Sequence, residues 1–253
     1  MAFLETALSH FQEDIDRARA LLAHARSQAP GLVSDDIVRS AWMMGVGACD
    51  AYFCDAYADL ITRTLRAKEL EPDMKLPNRL NNLKLPVTAF IRESSGGWRW
   101  RMAARELIES ENVLSIEKIS SFFNQFFLKG QIPLTQDTLE SLILHQSAKS
   151  RLFGIYAATY RAKNPADQAQ ARKKGLVKLK NRFSVIFQRR HDCIHNCDRP
   201  KVSIQKIKPL TVEKVLDDIE FLVRRYHDAL IAGFPDYLSR IGFSGATRNN
   251  VCG

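Results

Sequence analysis

Acidic residues are scarce where the chain is most basic: from Arg161 to Arg190 the only acid is Asp167. Lys and Arg outnumber Asp and Glu by 37 to 28, a formal net charge of +9. This imbalance favours a polyanionic partner, with nucleic acid first and an anionic membrane surface second. Cysteine is also sparse: Cys49, Cys54, Cys193, Cys197 and Cys252 are odd in number and scattered, which excludes a dense disulfide framework and suits a reducing compartment. Long apolar runs are missing. The most apolar stretch, Ala41 to Tyr57, is interrupted by Asp50 and Asp55 and is too short and polar to span a bilayer. Met1-Ala2-Phe3-Leu4-Glu5 leads into acids and arginines with no apolar signal core, so a cytoplasmic protein with no membrane partner is expected. No alternating strand pattern, internal repeat or low-complexity segment is visible.

What remains is helical periodicity. Leu4, Leu8, Phe11, Ile15, Ala18 and Leu22 recur at three- and four-residue steps until Pro30-Gly31. A longer helix is expected from Ser34-Asp35-Asp36, capped by Ser34, with apolar positions from Ile37 through Ile61 and an end near Arg66. Pro72, Pro77, Pro86 and Gly96-Gly97 break the next region into short pieces, with helices over 98–109, 115–127 and 135–160, the last interrupted near Gln146-Ser147. Asn164-Pro165-Ala166-Asp167 supplies a cap, a proline at the first helical position and an acid in the first turn. The helix that follows carries Leu176, Leu179, Phe183, Ile186 and Phe187 and ends within 196–200. Val202-Ser203-Ile204 reads as an extended connection before a last helix from Thr211 to about Leu230. The fold class expected is all-α, one domain over 1–253 with an irregular helical insertion over 68–135.

The most chemically pointed segment closes the basic helix: Arg189-Arg190-His191-Asp192-Cys193-Ile194-His195-Asn196. An imidazole exchanges protons near neutral pH, and a guanidinium holds phosphate oxygens in a bidentate fork. RNA cleavage needs both: a deprotonated 2′-hydroxyl, a protonated leaving oxygen and stabilised phosphoryl charge. The bland reading of Arg190 and His195 is a pair of cations placed against the helix dipole. His191, Cys193, His195 and Cys197 alternate, which would suit zinc on a strand. Helical continuity separates i and i+2 residues, so no metal is expected and Cys193 reads as a small buried hydrophobe. Arg189, Lys173, Lys174, Lys178, Lys180 and Arg182 form a candidate RNA track or a solvated face. Trp98 and Trp100, interleaved with Arg99 and Arg101, are packing anchors or base-stacking platforms, and Phe122, Phe123, Phe126 and Phe127 belong to a core or dimer interface.

Arg190-His191-Asp192-Cys193-Ile194-His195 resembles the Arg-x4-His signature of HEPN domains (higher eukaryotes and prokaryotes nucleotide-binding). Ala48-Cys49-Asp50-Ala51-Tyr52 looks like part of the helix preceding that motif in the RiboL-PSP-type branch. The helix from Thr211 matches the one that follows it, so the resemblance covers residues 1–66 and 145–232. The residue after the family's arginine is usually Asn or Asp; here it is His191, with Asp192 next. The resemblance implies an up-and-down helical bundle that homodimerises, with two motifs meeting across a cleft to cut RNA without metal or other cofactor. It implies Arg190 and His195 as catalytic residues, with Asp50, His191, Asp192 and Asn196 in supporting roles. Asn196 contacts RNA or caps the helix. A toxin or antiphage effector follows, held in check by an antitoxin or regulatory partner; a catalytically silent module binding RNA or protein is the alternative. Residues five apart on a helix diverge by about 140°, so pairing Arg190 with His195 calls for a second copy or a distorted helix end.

Overall fold

A computed structural model describes residues 3–81, 100–102, 104, 105, 108, 114–199 and 203–253, and among these there is no strand. Four long helices and several short ones make an all-α bundle. Helix α1 spans Glu5–Ser27, α2 Leu32–Leu70, α3 Asn78–Asn81 and α4 Ile116–Phe123, the last followed by a 3-10 turn at Asn124–Phe126. Short helices α5 (Leu139–Leu144), α6 (Ser150–Phe153) and α7 (Ala157–Arg161) lead into α8 (Pro165–Asn196), α9 (Pro209–Ile241) and α10 (Gly245–Cys252). No helix among the described residues is long and apolar enough to cross a membrane.

The centre is α2. It packs against α1, α8, α9 and α10, so apolar side chains leave it in most directions. Gly45 permits the closest approach: a Cβ there would meet Leu216 Cδ2 of α9 at 2.3 Å. Aromatic rings fill the space beyond, with Phe53 edge-on to Phe123 and Tyr226, and Phe126 edge-on to Tyr237. Phe123, Phe126 and Phe127 are buried, and Phe122 packs edge-on against Tyr57. The 116–127 part of the expected insertion is therefore built into the core.

Several boundaries differ from those expected. Helix α2 begins at Leu32, and Ser34 caps nothing: its hydroxyl donates to the Ala25 carbonyl at the end of α1, where a terminal acceptor needs a donor. The helix also continues past Arg66 to Leu70. The 135–160 stretch breaks into three, first beyond Leu144 and again at Gly154, whose φ of 74° closes α6. The last helix runs on through Pro235 to Ile241, and α10 had no counterpart in the sequence reading. Asn164 caps α8 as expected, its side chain accepting from the Asp167 N–H at 2.9 Å, with Pro165 in the first turn. The Gly96-Gly97 break, Trp98, Arg99, Pro86 and Val202 lie outside the described residues.

Candidate nucleic-acid site at the end of α8

The end of α8 is set by a buried carboxylate. Cys197 and Asp198 adopt left-handed backbone conformations (φ 47° and 57°), and both their N–H groups turn back onto the Asp192 carbonyl. Asp198 is fully buried. Its Oδ2 accepts from Arg39 Nε at 2.8 Å and from Arg189 Nη2 at 2.9 Å. Arg39 also donates to Asp36 and to the Gln205 carbonyl, and Arg189 to the Lys206 carbonyl. Trp42 completes the clamp: its indole N–H donates to the Ile186 carbonyl at 3.1 Å, and the Arg189 guanidinium lies 5.3 Å from its ring. Arg39, Trp42 and, two turns further on, Asp50 lie on the side of α2 turned to α8.

Upon this anchor the motif splits into two faces. Arg190 and His191 wall a polar cleft of about 230 Å³, with Ser115 and Glu117 opposite and Lys180, Ser184 and Gln188 along α8. Arg190 is half-buried, and Asp50 of α2 lies within its electrostatic reach without a direct ion pair. Burial pushes the Asp50 carboxyl up and the Arg190 guanidinium pulls it back. His191 and His195 are exposed and touch, with ring centroids 4.3 Å apart, as residues four apart on a helix should. Within one chain, His191 therefore stands between the arginine cleft and His195. Arg190 and His195 themselves diverge by about 140° on the regular helix, which runs unbroken to Asn196.

The supporting residues divide. Asp192 accepts from Gln188 Nε2 at 2.9 Å on the same helix, and its backbone carbonyl closes the helix end. Asn196 is exposed and is the last helical residue; the left-handed capping position falls to Cys197, not to Asn196. Cys193 is half-buried beside Asp198, and burial pushes its thiol up to about 11. The cations of the expected track have different surroundings. Arg189 is tied to Asp198, and Arg182 donates to buried Asp218 at 2.8 Å alongside Arg151, because those carboxylates are inaccessible to water and need cations. Lys180 lies 3.2 Å from Glu117. Lys173, Lys174 and Lys178 face solvent.

Arg39, Trp42 and Asp198 escaped the sequence reading, as did buried His227, whose Nδ1 meets the Tyr52 hydroxyl at 3.2 Å. The only local signal was Asp198 itself, an acid directly after a basic motif. Comparison with protein-family models, with curated proteins and with solved structures gave no match.

Proposed function

We propose that this chain is an endoribonuclease of the HEPN type that works as a homodimer without a metal. The observation that carries the reading is the cleft at the end of α8: Arg190 and His191 wall it together, and the His191 ring rests on that of His195. In the reaction the RNA 2′-oxygen forms a bond to phosphorus while the bond from phosphorus to the 5′-oxygen breaks, leaving a 2′,3′-cyclic phosphate. The 2′-hydroxyl loses its proton and the departing 5′-oxygen gains one. His195 carries one of these transfers, and its contact with His191 supplies a second proton carrier. Arg190 holds the phosphoryl oxygens as charge develops. Asp50 lies within electrostatic reach of Arg190 on the neighbouring helix. Lys173, Lys174 and Lys178, exposed on the same helix, supply phosphate contacts upstream. The divergence of Arg190 and His195 within one chain is why a second copy is invoked. A toxin or antiphage role, with an antitoxin to restrain it, follows from the same resemblance.

The test is RNA incubated in EDTA with wild type, His195→Ala and Arg190→Ala. Wild type is expected to cut and leave cyclic phosphate ends, and each variant to lose at least about 100-fold in rate. Undiminished cleavage by both variants refutes the assignment. The same divergence favours a second reading, a silent module that binds RNA in a salt-dependent way and never cuts it.

A further inference from the structure

Of the six histidines in the chain, His191 and His195 are the two that stand four residues apart on one helix. Their rings are exposed and lie side by side, with centroids 4.3 Å apart and planes inclined by 42°. Among the described residues neither ring takes part in a hydrogen bond or an ion pair. The backbone beneath them is fixed. Helix α8 stays regular to Asn196, the next two N–H groups turn back onto the Asp192 carbonyl, and Arg39 and Arg189 grip Asp198. Two imidazoles are thus carried on a rigid scaffold, as a chelate requires.

Two imidazoles one helical turn apart are a ligand pair for borderline divalent transition cations. A metal–nitrogen bond of about 2.0–2.1 Å puts each ring centroid roughly 3.2 Å from the ion. Centroids 4.3 Å apart then subtend roughly a right angle at it, the angle between adjacent ligands of an octahedral or square-planar ion. Exposed rings turn about χ2 at little cost, so one nitrogen of each can be aimed at a shared point. The last turn of α8 is the negative end of its dipole and favours a cation there, as does Asp192 on the same turn. Arg190 opposes it, but leaves the helix about 140° round from His195. Among the described residues no third His, Cys, Asp or Glu joins the pair, so water completes the shell. Cys193, which alternates with the histidines in sequence, is half-buried beside Asp198 and outside the pair.

We propose that His191 and His195 of one chain chelate a divalent transition cation of the nickel and zinc class, and that the bound ion shuts off proton transfer at the α8 cleft. Binding of the first imidazole makes the second bond intramolecular, so the pair holds the ion far more tightly than a lone surface histidine. Hard cations such as Mg2+ prefer oxygen ligands and are not taken. A ring nitrogen bonded to the ion has no lone pair left to accept a proton, so both imidazoles cease to act as proton carriers. The inhibitory half rests on the nuclease reading; the binding half does not.

The experiment is calorimetric titration of chelator-stripped wild type with NiCl2, ZnCl2 and MgCl2, repeated with NiCl2 on His191→Gln, His195→Gln and Cys197→Ser. Nickel and zinc should saturate at about one ion per chain and magnesium should not bind. Each histidine variant should weaken nickel binding at least about tenfold, whereas Cys197→Ser should leave it within about twofold. No saturation by nickel, binding unchanged in either histidine variant, or binding lost in Cys197→Ser overturns the site. In wild type alone, nickel should first broaden the imidazole NMR signals of two of the six histidines; uniform broadening of all six also overturns it. RNA cleavage in EDTA is then compared with cleavage at rising nickel. Activity should fall with the midpoint of the binding curve and return on adding EDTA. Cleavage unchanged at saturating nickel overturns the inhibitory half. No cleavage in EDTA removes the nuclease reading and the inhibitory role with it, while the titrations still decide the site.

Discussion

Asp198→Ala is the most revealing single substitution outside the motif. It removes the one carboxylate on which Arg39 and Arg189 converge at 2.8 and 2.9 Å, in a place with no exposed side-chain surface. Removing one partner of a buried charge pair typically costs about 3–5 kcal/mol. The lower end applies, because Arg39 keeps Asp36 and the Gln205 carbonyl, and Arg189 keeps the Lys206 carbonyl and the Trp42 face. A left-handed backbone that Asp tolerates and Ala does not adds about 1 kcal/mol. The total is about 4 kcal/mol, or roughly 10 °C in Tm for a chain of this size. Asp36→Ala is the control. It deletes the other carboxylate on Arg39, but Asp36 is 62% exposed, so its loss should cost under about 1 kcal/mol. Urea unfolding with unchanged m-values measures both. Costs within about 0.5 kcal/mol of each other would refute the claim that Asp198 anchors the end of α8.

Gly45→Ala should destabilise by about 1–3 kcal/mol by driving Leu216 from its place, whereas Gly47→Ala, with nothing within 4 Å of the new Cβ, should stabilise by about 0.5–1 kcal/mol; urea midpoints give both signs. Burial pushes His227 below its ordinary value of 6.5, so the unfolded chain binds the proton first. Stability should therefore fall as pH drops from about 6.5 towards 5, and His227→Gln should flatten that slope in urea titrations at several pH values. Cys193, with its thiol raised to about 11, should react with iodoacetamide at pH 8 more slowly than exposed Cys197, as peptide mass spectrometry of timed samples would register. Equal rates at the two positions contradict the burial of Cys193.

Local chemistry carried much of this structure in the sequence. Asn164, Pro165 and Asp167 mark the start of α8 because caps and first-turn residues act within one turn of chain. The apolar spacing of Phe11, Ile15, Ala18 and Leu22 marks the buried face of α1 for the same reason. Arg182 and Arg189 extend a basic face in sequence, and only folding brings Asp218 and Asp198 against them. The partners of Asp198 are even less visible, since Arg39 lies 159 positions away and looks like any helix-surface cation. Ser34 failed likewise, its hydroxyl drawn to a carbonyl of the preceding helix rather than to its own. At the candidate site, the residue types and their helix-end position were legible. What was not legible is the cleft itself, with Ser115 and Glu117 lining it beside Arg190 and His191, because that depends on how α4 closes on α8.

The proposal of a composite site has a direct test in subunit mixing. Arg190→Ala and His195→Ala proteins, each inactive alone, are unfolded together, refolded and assayed on RNA. If the arginine of one copy works with the histidine of the other, half of the dimers are mixed and each retains one intact site, so about a quarter of wild-type activity should return. No recovery, with mixed dimers demonstrated by mass, would contradict it.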